Sequence, residues 1–259
     1  MSLMMEKRTV PFHWHGLGLE EAWLEEPGAN PAGRRWMDWH VRESRAVRAE
    51  RVLELKCGGG SMLRRLVETH GVGRAVGLTL IESQRNHIES CPDERIEVSL
   101  GSWRDYAPTQ PFDAIICMGA FEGVAARDQS PIERAMAYRK FFERCHAWLK
   151  PGGRLSLQSI HVNGGAQDLG LLFRQYVFPH SDLPRLAEIV TAVEQLFEIR
   201  TLRESRREVA LACKNASQRL QWGGDDQSLA RMGRCLQYLS NGFDTGSLGL
   251  VRMSLRRLG

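Results

Sequence analysis

No two of the six cysteines stand at CxxC spacing; Cys57, Cys91, Cys117, Cys145, Cys213 and Cys235 are scattered along the chain. This excludes the common zinc and dithiol motifs. With no signal-peptide-like leader, it leads us to expect buried thiols in a reducing cytoplasm, not a disulfide framework. No apolar run reaches the roughly 18 residues of a membrane span. Charge of one sign is also scarce: 35 Lys and Arg against 31 Asp and Glu leave a net +4. That excess falls short of a nucleic-acid binder and suits an acidic small molecule, a carrier protein, an anionic surface or simply a solvated basic face. Internal repeats and low-complexity tracts are missing. Candidate metal ligands are thin: His13-Trp14-His15 has no third ligand nearby, which fits surface or packing better than metal.

What is present is a regular rhythm. From residue 51 the pattern predicts strands at 51–56, 74–79, 95–99, 112–118 and 153–160, with helices at 60–70, 83–90 and 131–149. Lys150-Pro151-Gly152-Gly153 should stop the last helix and start a strand. Beyond 160 the expectation is a loop at 161–170, a helix near 184–196 and a strand near 197–203. A polar helical stretch at 206–222, a break at 223–226, a helix near 227–240 and a final strand near 248–256 follow. Strand–helix alternation implies parallel strands with right-handed crossovers, hence a doubly wound α/β sheet, here mostly parallel and seven-stranded. At 259 residues, one elaborated domain is expected: an N-terminal helical cap at 1–50, the sheet domain at 51–259, and a helical insertion at about 204–241. In the cap, Pro27 to Gly33 reads as a break, and Trp36, Trp39 and His40 as one side of a helix over a pocket or core.

The richest stretch is Arg51-Val52-Leu53-Glu54-Leu55-Lys56-Cys57-Gly58-Gly59-Gly60. An apolar strand ending in an acid, a glycine-rich turn and a helix beginning near Ser61 make the opening of a nucleotide-type crevice. Glycines let the backbone approach a ligand, and the helix N-terminus offers N–H donors. With this loop stand Gly77-Leu78-Thr79-Leu80 and Gln84, Gly101-Ser102-Trp103, Met118-Gly119-Ala120-Phe121-Glu122, Leu149 to Gly153, Gln158-Ser159-Ile160 and Tyr176-Val177-Phe178-Pro179. Their order and spacing over residues 50–258 resemble the cyclopropane-fatty-acid synthase and mycolic-acid methyltransferase family, class I enzymes with a Rossmann-like fold that use S-adenosylmethionine. The resemblance implies methyl transfer to a small-molecule or lipid-like acceptor. It places Glu54, Lys56, Cys57, Gly58, Gly60, Thr79, Leu80, Gln84, Ser102, Trp103, Met118 and Gly119 around the cofactor. Trp103 reads equally as core packing. Trp36, Gln158, Tyr176 and His180 are expected toward the acceptor, with the 204–241 insertion as a lid whose Arg200, Arg203, Arg206 and Arg207 meet the acceptor or simply face water. No metal or nucleic acid is implied; an oligomer is compatible.

Two departures matter. The family's loop has glycine where this chain has Lys56. A positive φ there would cost a lysine roughly 1–2 kcal/mol. An ammonium about 4 Å from the cofactor's sulfonium would cost about 4 kcal/mol at an effective dielectric of 20; toward the cofactor's carboxylate the sign reverses, and pointing outward it does nothing. Second, lipid-modifying members hold a bicarbonate as base through a glutamate, a histidine, a cysteine and a tyrosine. Glu122 matches the glutamate, but Gln158 and Leu250 stand where the histidine and tyrosine are expected, Gly123 follows the glutamate, and no cysteine occurs in residues 1–50. Such a site would hold an anion weakly, so standard cyclopropanation is not expected. Glu122 reads as a general base or as a structural carboxylate, and His161 as a substitute base or a packed histidine. The competing functional reading is a non-catalytic or repurposed derivative of the fold, to which Lys56 points.

Overall fold

The computed structural model describes residues 31–164, 182–221 and 227–259, without the side chains of 31, 32, 219–221 and 227–232. The elements are α1 (Pro31–Glu43), β1 (Arg51–Leu55), α2 (Ser61–Glu68), β2 (Arg74–Thr79), α3 (Glu82–Glu89), β3 (Ile96–Leu100) and β4 (Phe112–Met118). After them come a 3-10 turn (Phe121–Gly123), α4 (Pro131–Trp148), β5 (Leu149–Val162), α5 (Leu186–Val193), β6 (Phe197–Glu204), α6 (Arg206–Gln221), α7 (Gln227–Thr245) and β7 (Leu248–Arg257). One sheet of seven strands runs β3-β2-β1-β4-β5-β7-β6. The first five are parallel, while β7 is antiparallel to both neighbours. The order reverses between β1 and β4, so the ligand crevice of such a sheet belongs at their carboxyl ends.

Central strands are covered on both faces, which explains their unbroken apolar runs. Leu53, Leu55, Ile115, Leu155 and Leu157 face a core with Phe121, Tyr138, Phe141, Phe142 and Ile189 of α4, α5 and the 3-10 turn. The opposite face packs Val52, Ala114 and Ile116 on Met37, Val41, Met62, Leu63 and Leu66 of α1 and α2. A third cluster joins Ile160, Val162 and Leu250 to Val209, Cys213, Cys235 and Leu239 of α6 and α7. Five cysteines are buried, and Cys91 is exposed. Among the described residues no helix is long and apolar enough to cross a membrane.

Local sequence accounts for the boundaries. Helix α4 starts on a capping box: Ser130 Oγ accepts from Glu133 N, Glu133 Oε2 accepts from Ser130 N at 2.8 Å, and Pro131 fills the first turn. Two expectations need correction. The strand expected at 153–160 begins at Leu149, because Leu149 already pairs with Phe112 ahead of a register shift that absorbs Lys150 to Gly153. The N-terminal break was expected to run through Gly33, yet α1 starts at Pro31, where a proline's missing N–H costs nothing. Helix α1 is tied to α2 by Asp38, whose carboxylate accepts from Arg65 Nε and Nη2 at 2.7 and 2.8 Å and lies 2.7 Å from His70 Nε2. His13 and His15 lie outside the described residues.

Candidate active site

The chain leaves β1 through a loop with three left-handed residues, Lys56 (φ 70°), Gly58 (φ 53°) and Gly60 (φ 84°). Lys56 therefore carries the backbone strain that its position threatens, roughly 1–2 kcal/mol. Cys57 N donates to Leu78 O at 2.8 Å, so the loop stays bonded to β2 just beyond the end of β1. A Cβ on Gly77 would come within 2.7 Å of Cys57 Sγ, and one on Gly60 within 2.7 Å of Ile88 Cγ1. The loop is thus pressed onto β2 and α3, with the Cys57 side chain packed inward and its backbone toward the turn. Gly60 caps α2 without a side-chain acceptor, so the first-turn N–H groups keep their donor capacity. Glu54 is buried at the end of β1.

Lys56 does not point outward. Its Nζ donates to Gly119 O at 2.8 Å. Since β1 pairs with β4, the side chain reaches from the end of one strand to the end of the other across the reversal point of the sheet. Its ammonium also acts on Glu122, where it favours the ionised carboxylate.

Thr79 Oγ1 accepts from Ile81 N at 3.1 Å and donates to Gln84 Oε1 at 2.6 Å, so this pair builds the turn into α3. Leu80, 60% exposed, is an apolar rim beside it. Ser102 Oγ accepts from Arg104 N at 3.2 Å. Trp103 meets Phe141 edge-on at 5.1 Å, and the Arg104 guanidinium lies 4.5 Å from its ring centroid; packing positions this indole. Next to it Gly101 is open, since an added Cβ would meet nothing within 4 Å. Met118 pairs with Gln158 across β4 and β5, and Gly119 turns the chain at φ 70°.

Glu122 is 3% exposed. Its Oε1 accepts from Ile160 N at 2.7 Å, and Oε2 is buried with no hydrogen-bond partner among the described residues. Burial pushes its carboxyl above the ordinary range, against the pull of the Ile160 N–H and the Lys56 charge. Gln158 is engaged: its Oε1 accepts from Trp36 Nε1 at 2.5 Å and lies 3.2 Å from His40 Nε2. His40 Nδ1 lies 2.8 Å from Ser156 Oγ, and burial pushes the imidazole down to about 3. The neutral ring therefore donates from Nε2 to Gln158 and accepts at Nδ1 from Ser156. His161 Nε2 bonds Glu204 Oε2 at 2.9 Å, and Nδ1 is buried with no partner among the described residues. The same Glu204 accepts from Leu250 N at 2.8 Å through Oε1, so His161 belongs to a polar cluster closing β6 onto β7. Tyr176 and His180 lie outside the described residues.

Sequence reasoning missed Arg252. It is 3% exposed, bonds Ser205 Oγ through two nitrogens at 2.6 and 3.0 Å, and lies 4.0 and 4.7 Å from the Trp36 and Trp39 ring centroids. The signal was an arginine within the apolar run Leu248–Leu255, at the register position facing Gln158. In the basic run of β6 and α6, Arg200 pairs with Glu198 at 2.5 Å and Arg203 with Glu208 at 2.6 Å, while Arg206 donates to Phe243 O at 2.8 Å.

A seven-stranded sheet of this order, with a glycine loop after β1 and a buried acid after β4, defines the class I methyltransferase fold. The chain belongs to the mycolic acid cyclopropane synthetase family, whose profile matches residues 30–229. It is 32% identical over 114 residues to cyclopropane mycolic acid synthase 3 of Mycobacterium tuberculosis, a match covering 42% of this chain and 36% of that protein. It is 27% identical over 150 residues to a ubiquinone biosynthesis O-methyltransferase of Coxiella burnetii, covering 54% of this chain and 56% of that one. The chain thus spans about a third to a half of the length of these relatives. In fold it is similar to a mycolic acid cyclopropane synthase solved with SAH and CTAB: the TM-score is 0.78 at 21% identity, over 94% of this chain and 93% of the other.

Proposed function

We propose that the protein is an S-adenosylmethionine-dependent methyltransferase acting on a small-molecule or lipid-like acceptor by a route other than standard cyclopropanation. The observation that carries this reading is Glu122, a buried carboxylate at the end of β4 with one oxygen anchored on Ile160 N and the other without a partner among the described residues. Such a carboxylate, with its affinity for protons raised by burial, suits the removal or orientation of an acceptor proton.

The residues fit the cofactor. Left-handed Gly58 and Gly60, the N-terminus of α2 without a side-chain cap, and the open space beside Gly101 make a cradle at the reversal point of the sheet. The loop from Glu54 to Gly60 would hold the amino-acid end, Thr79 to Gln84 and Ser102-Trp103 the nucleoside end, and Met118-Gly119 the face toward the acceptor. When bound, the cofactor supplies an electrophilic methyl group; the chain contributes position and proton handling. Against cyclopropanation stand Gln158, whose amide is anchored through Oε1 on Trp36 and His40 and carries no ring nitrogen, and apolar Leu250, which has no donor where a tyrosine hydroxyl is expected. Helix α1 brings Trp36 to the carboxyl half of β5 and, with residues 1–30, is read as the acceptor-side cap.

A second reading, a repurposed or non-catalytic derivative, is favoured by Lys56, which brings its own cation into the crevice. Radiolabelled S-adenosylmethionine, incubated with the protein and panels of unsaturated acyl lipids, phenols and amines, separates the two. Label in an extracted product supports methyl transfer. Failure of the cofactor to bind in equilibrium dialysis sinks it.

A further inference from the structure

At the carboxyl end of β5 two polar atoms are buried without a hydrogen-bond partner among the described residues, Glu122 Oε2 and His161 Nδ1. They share a face of the sheet. Glu122 hangs on Ile160 N through Oε1 at 2.7 Å, and the Ser159 hydroxyl acts on the same carboxyl. Ser159 and His161 stand two apart on β5, so their side chains leave the strand on one side, about 7 Å apart. Ser159 Oγ gives its hydrogen to Ile160 O at 3.1 Å, so Glu122 Oε2 does not receive it.

His161 is held from behind. Its register partner on β7 is Gly249, where an added Cβ would fall 2.2 Å from Nε2. The ring therefore lies over the glycine and reaches across β7 to Glu204 Oε2 on β6 at 2.9 Å. Glu204 Oε1 is itself fixed by Leu250 N at 2.8 Å and Arg206 N at 3.1 Å. A carboxylate only accepts, so Nε2 carries the hydrogen, and Nδ1 of the neutral ring is left as an acceptor. Ionised Glu122 presents a second lone pair on the same face. Buried acceptors of this kind call for a donor.

We propose that the atom methylated by this protein is an oxygen or nitrogen carrying its own hydrogen, presented to the face of Glu122 Oε2 and His161 Nδ1, and not an alkene carbon. The inference rests on the methyltransferase reading above and names its acceptor class. An O–H or N–H group satisfies a buried lone pair on binding. An alkene has no polar hydrogen and leaves both unpaired, a difference of roughly tenfold to a hundredfold in affinity. As the bond from the heteroatom to the methyl carbon forms, the carbon–sulfur bond breaks and its electron pair stays on sulfur. The O–H or N–H bond breaks with its pair left on the heteroatom, and the proton passes to Glu122 Oε2. His161 Nδ1, oriented by Glu204, is a second place on that face for a polar hydrogen of the acceptor.

The test begins with equilibrium dialysis against S-adenosylmethionine, where absence of binding overturns the methyltransferase reading and this inference with it. Labelled S-adenosylmethionine is then offered to hydroxyl, amine and alkene compounds matched on the same carbon skeletons, from single rings to long acyl chains. Label on oxygen or nitrogen, about tenfold or more above the matched alkenes, is expected. Equal label in the alkenes, or none in any hydroxyl or amine compound while the cofactor is bound, overturns the inference and leaves cofactor binding in place. A readout independent of turnover is the ring-nitrogen NMR signal of His161, assigned by its loss in His161→Gln. Wild type is expected to show a protonated Nε2 and a bare Nδ1, and both nitrogens protonated at the assay pH overturns the inference. In Glu204→Gln the new amide donates to Nε2 and sends the ring hydrogen to Nδ1. Labelling is then expected to fall about tenfold or more with the cofactor dissociation constant unchanged. An exchanged tautomer with full labelling overturns the part given to His161.

Discussion

Trp36 donates its indole N–H to Gln158 Oε1 at 2.5 Å, and His40 Nε2 approaches the same oxygen at 3.2 Å. One amide oxygen in β5 thus gathers two donors from α1, more than a hundred residues earlier, and holds that helix on the sheet. Replacing it with an apolar group would take this acceptor from both donors, of which His40 is fully buried. Gln158→Leu is expected to cost about 2–4 kcal/mol, one to two desolvated polar groups, while Gln158→Glu keeps the acceptor and costs less. Urea denaturation of the three proteins checks the order. Equal stability for Gln158→Leu and wild type would mean that the helix is held elsewhere.

His40 adds a pH dependence to that anchor. The ring is fully buried and its pKa lies at about 3, against 6.5 when exposed; burial is the main cause, the Gln158 hydrogen bond opposes it, and the charge of Arg252 adds to it. The folded state therefore takes up the proton less readily than the unfolded chain. Its contribution is intact above about pH 6.5 and is lost progressively as the pH falls toward 3, by roughly 4–5 kcal/mol in full. Acid unfolding should show uptake of about one proton from this site, and His40→Gln should flatten the slope of stability against pH in that window. An unchanged slope in the variant would place the acid sensitivity in other groups.

The rhythm of the fold was legible because central parallel strands are covered on both faces and show as apolar runs bounded by glycine and proline. The glycine loop, β2 and β4 appear within a residue of their expected bounds for that reason. Leu149 was hidden because pairing across a register shift does not depend on local turn signals, which at Lys150 to Gly153 all pointed to a stop. The site was legible in residue type more than in partner. Glu122 and Lys56 stood out in the sequence, but nothing local tells whether a lysine side chain turns toward Gly119 or toward water. Trp36, Gln158 and Arg252 form one cluster from three distant segments, and only the register of β5 on β7 brings it together. His161 looked like a base because it was expected just after the fifth strand, yet it lies within β5, and its pairing with Glu204 comes from a β6 edge that no short-range pattern specifies.

The two features of Lys56, its backbone and its charge, can be separated by stability. Lys56→Gly relieves the left-handed strain, worth about 1–2 kcal/mol, and gives up the hydrogen bond to Gly119 O, worth about 1.5–3 kcal/mol for a charged donor. Lys56→Met gives up the bond and keeps the strain. Lys56→Gly should therefore lie within about 1–2 kcal/mol of wild type, and Lys56→Met about 1 kcal/mol or more below Lys56→Gly. Thermal and urea unfolding of the pair are the measurement. Lys56→Met more stable than Lys56→Gly would show that the backbone relaxes once the ammonium is gone.

Glu122 is expected to show opposite effects on activity and stability. Burial raises its pKa above the ordinary carboxylate range, with Ile160 N–H and Lys56 pulling the other way. A group with a raised folded pKa stabilises the fold fully below its unfolded pKa, and that stability is lost as the pH rises through the folded value. At pH 8 the carboxylate is therefore a cost to folding. Glu122→Gln keeps an acceptor for Ile160 N and removes the charge, so it should be more stable than wild type at pH 8, by roughly 1 kcal/mol, with the gain fading at acid pH. If Glu122 takes the acceptor proton, methyl transfer in the wild type should fall as the pH drops through its raised pKa. Glu122→Gln should lose about 100-fold or more in kcat while binding the cofactor unchanged. A variant that is stabilised and retains full kcat would make Glu122 a structural carboxylate and move the proton-handling role to another residue.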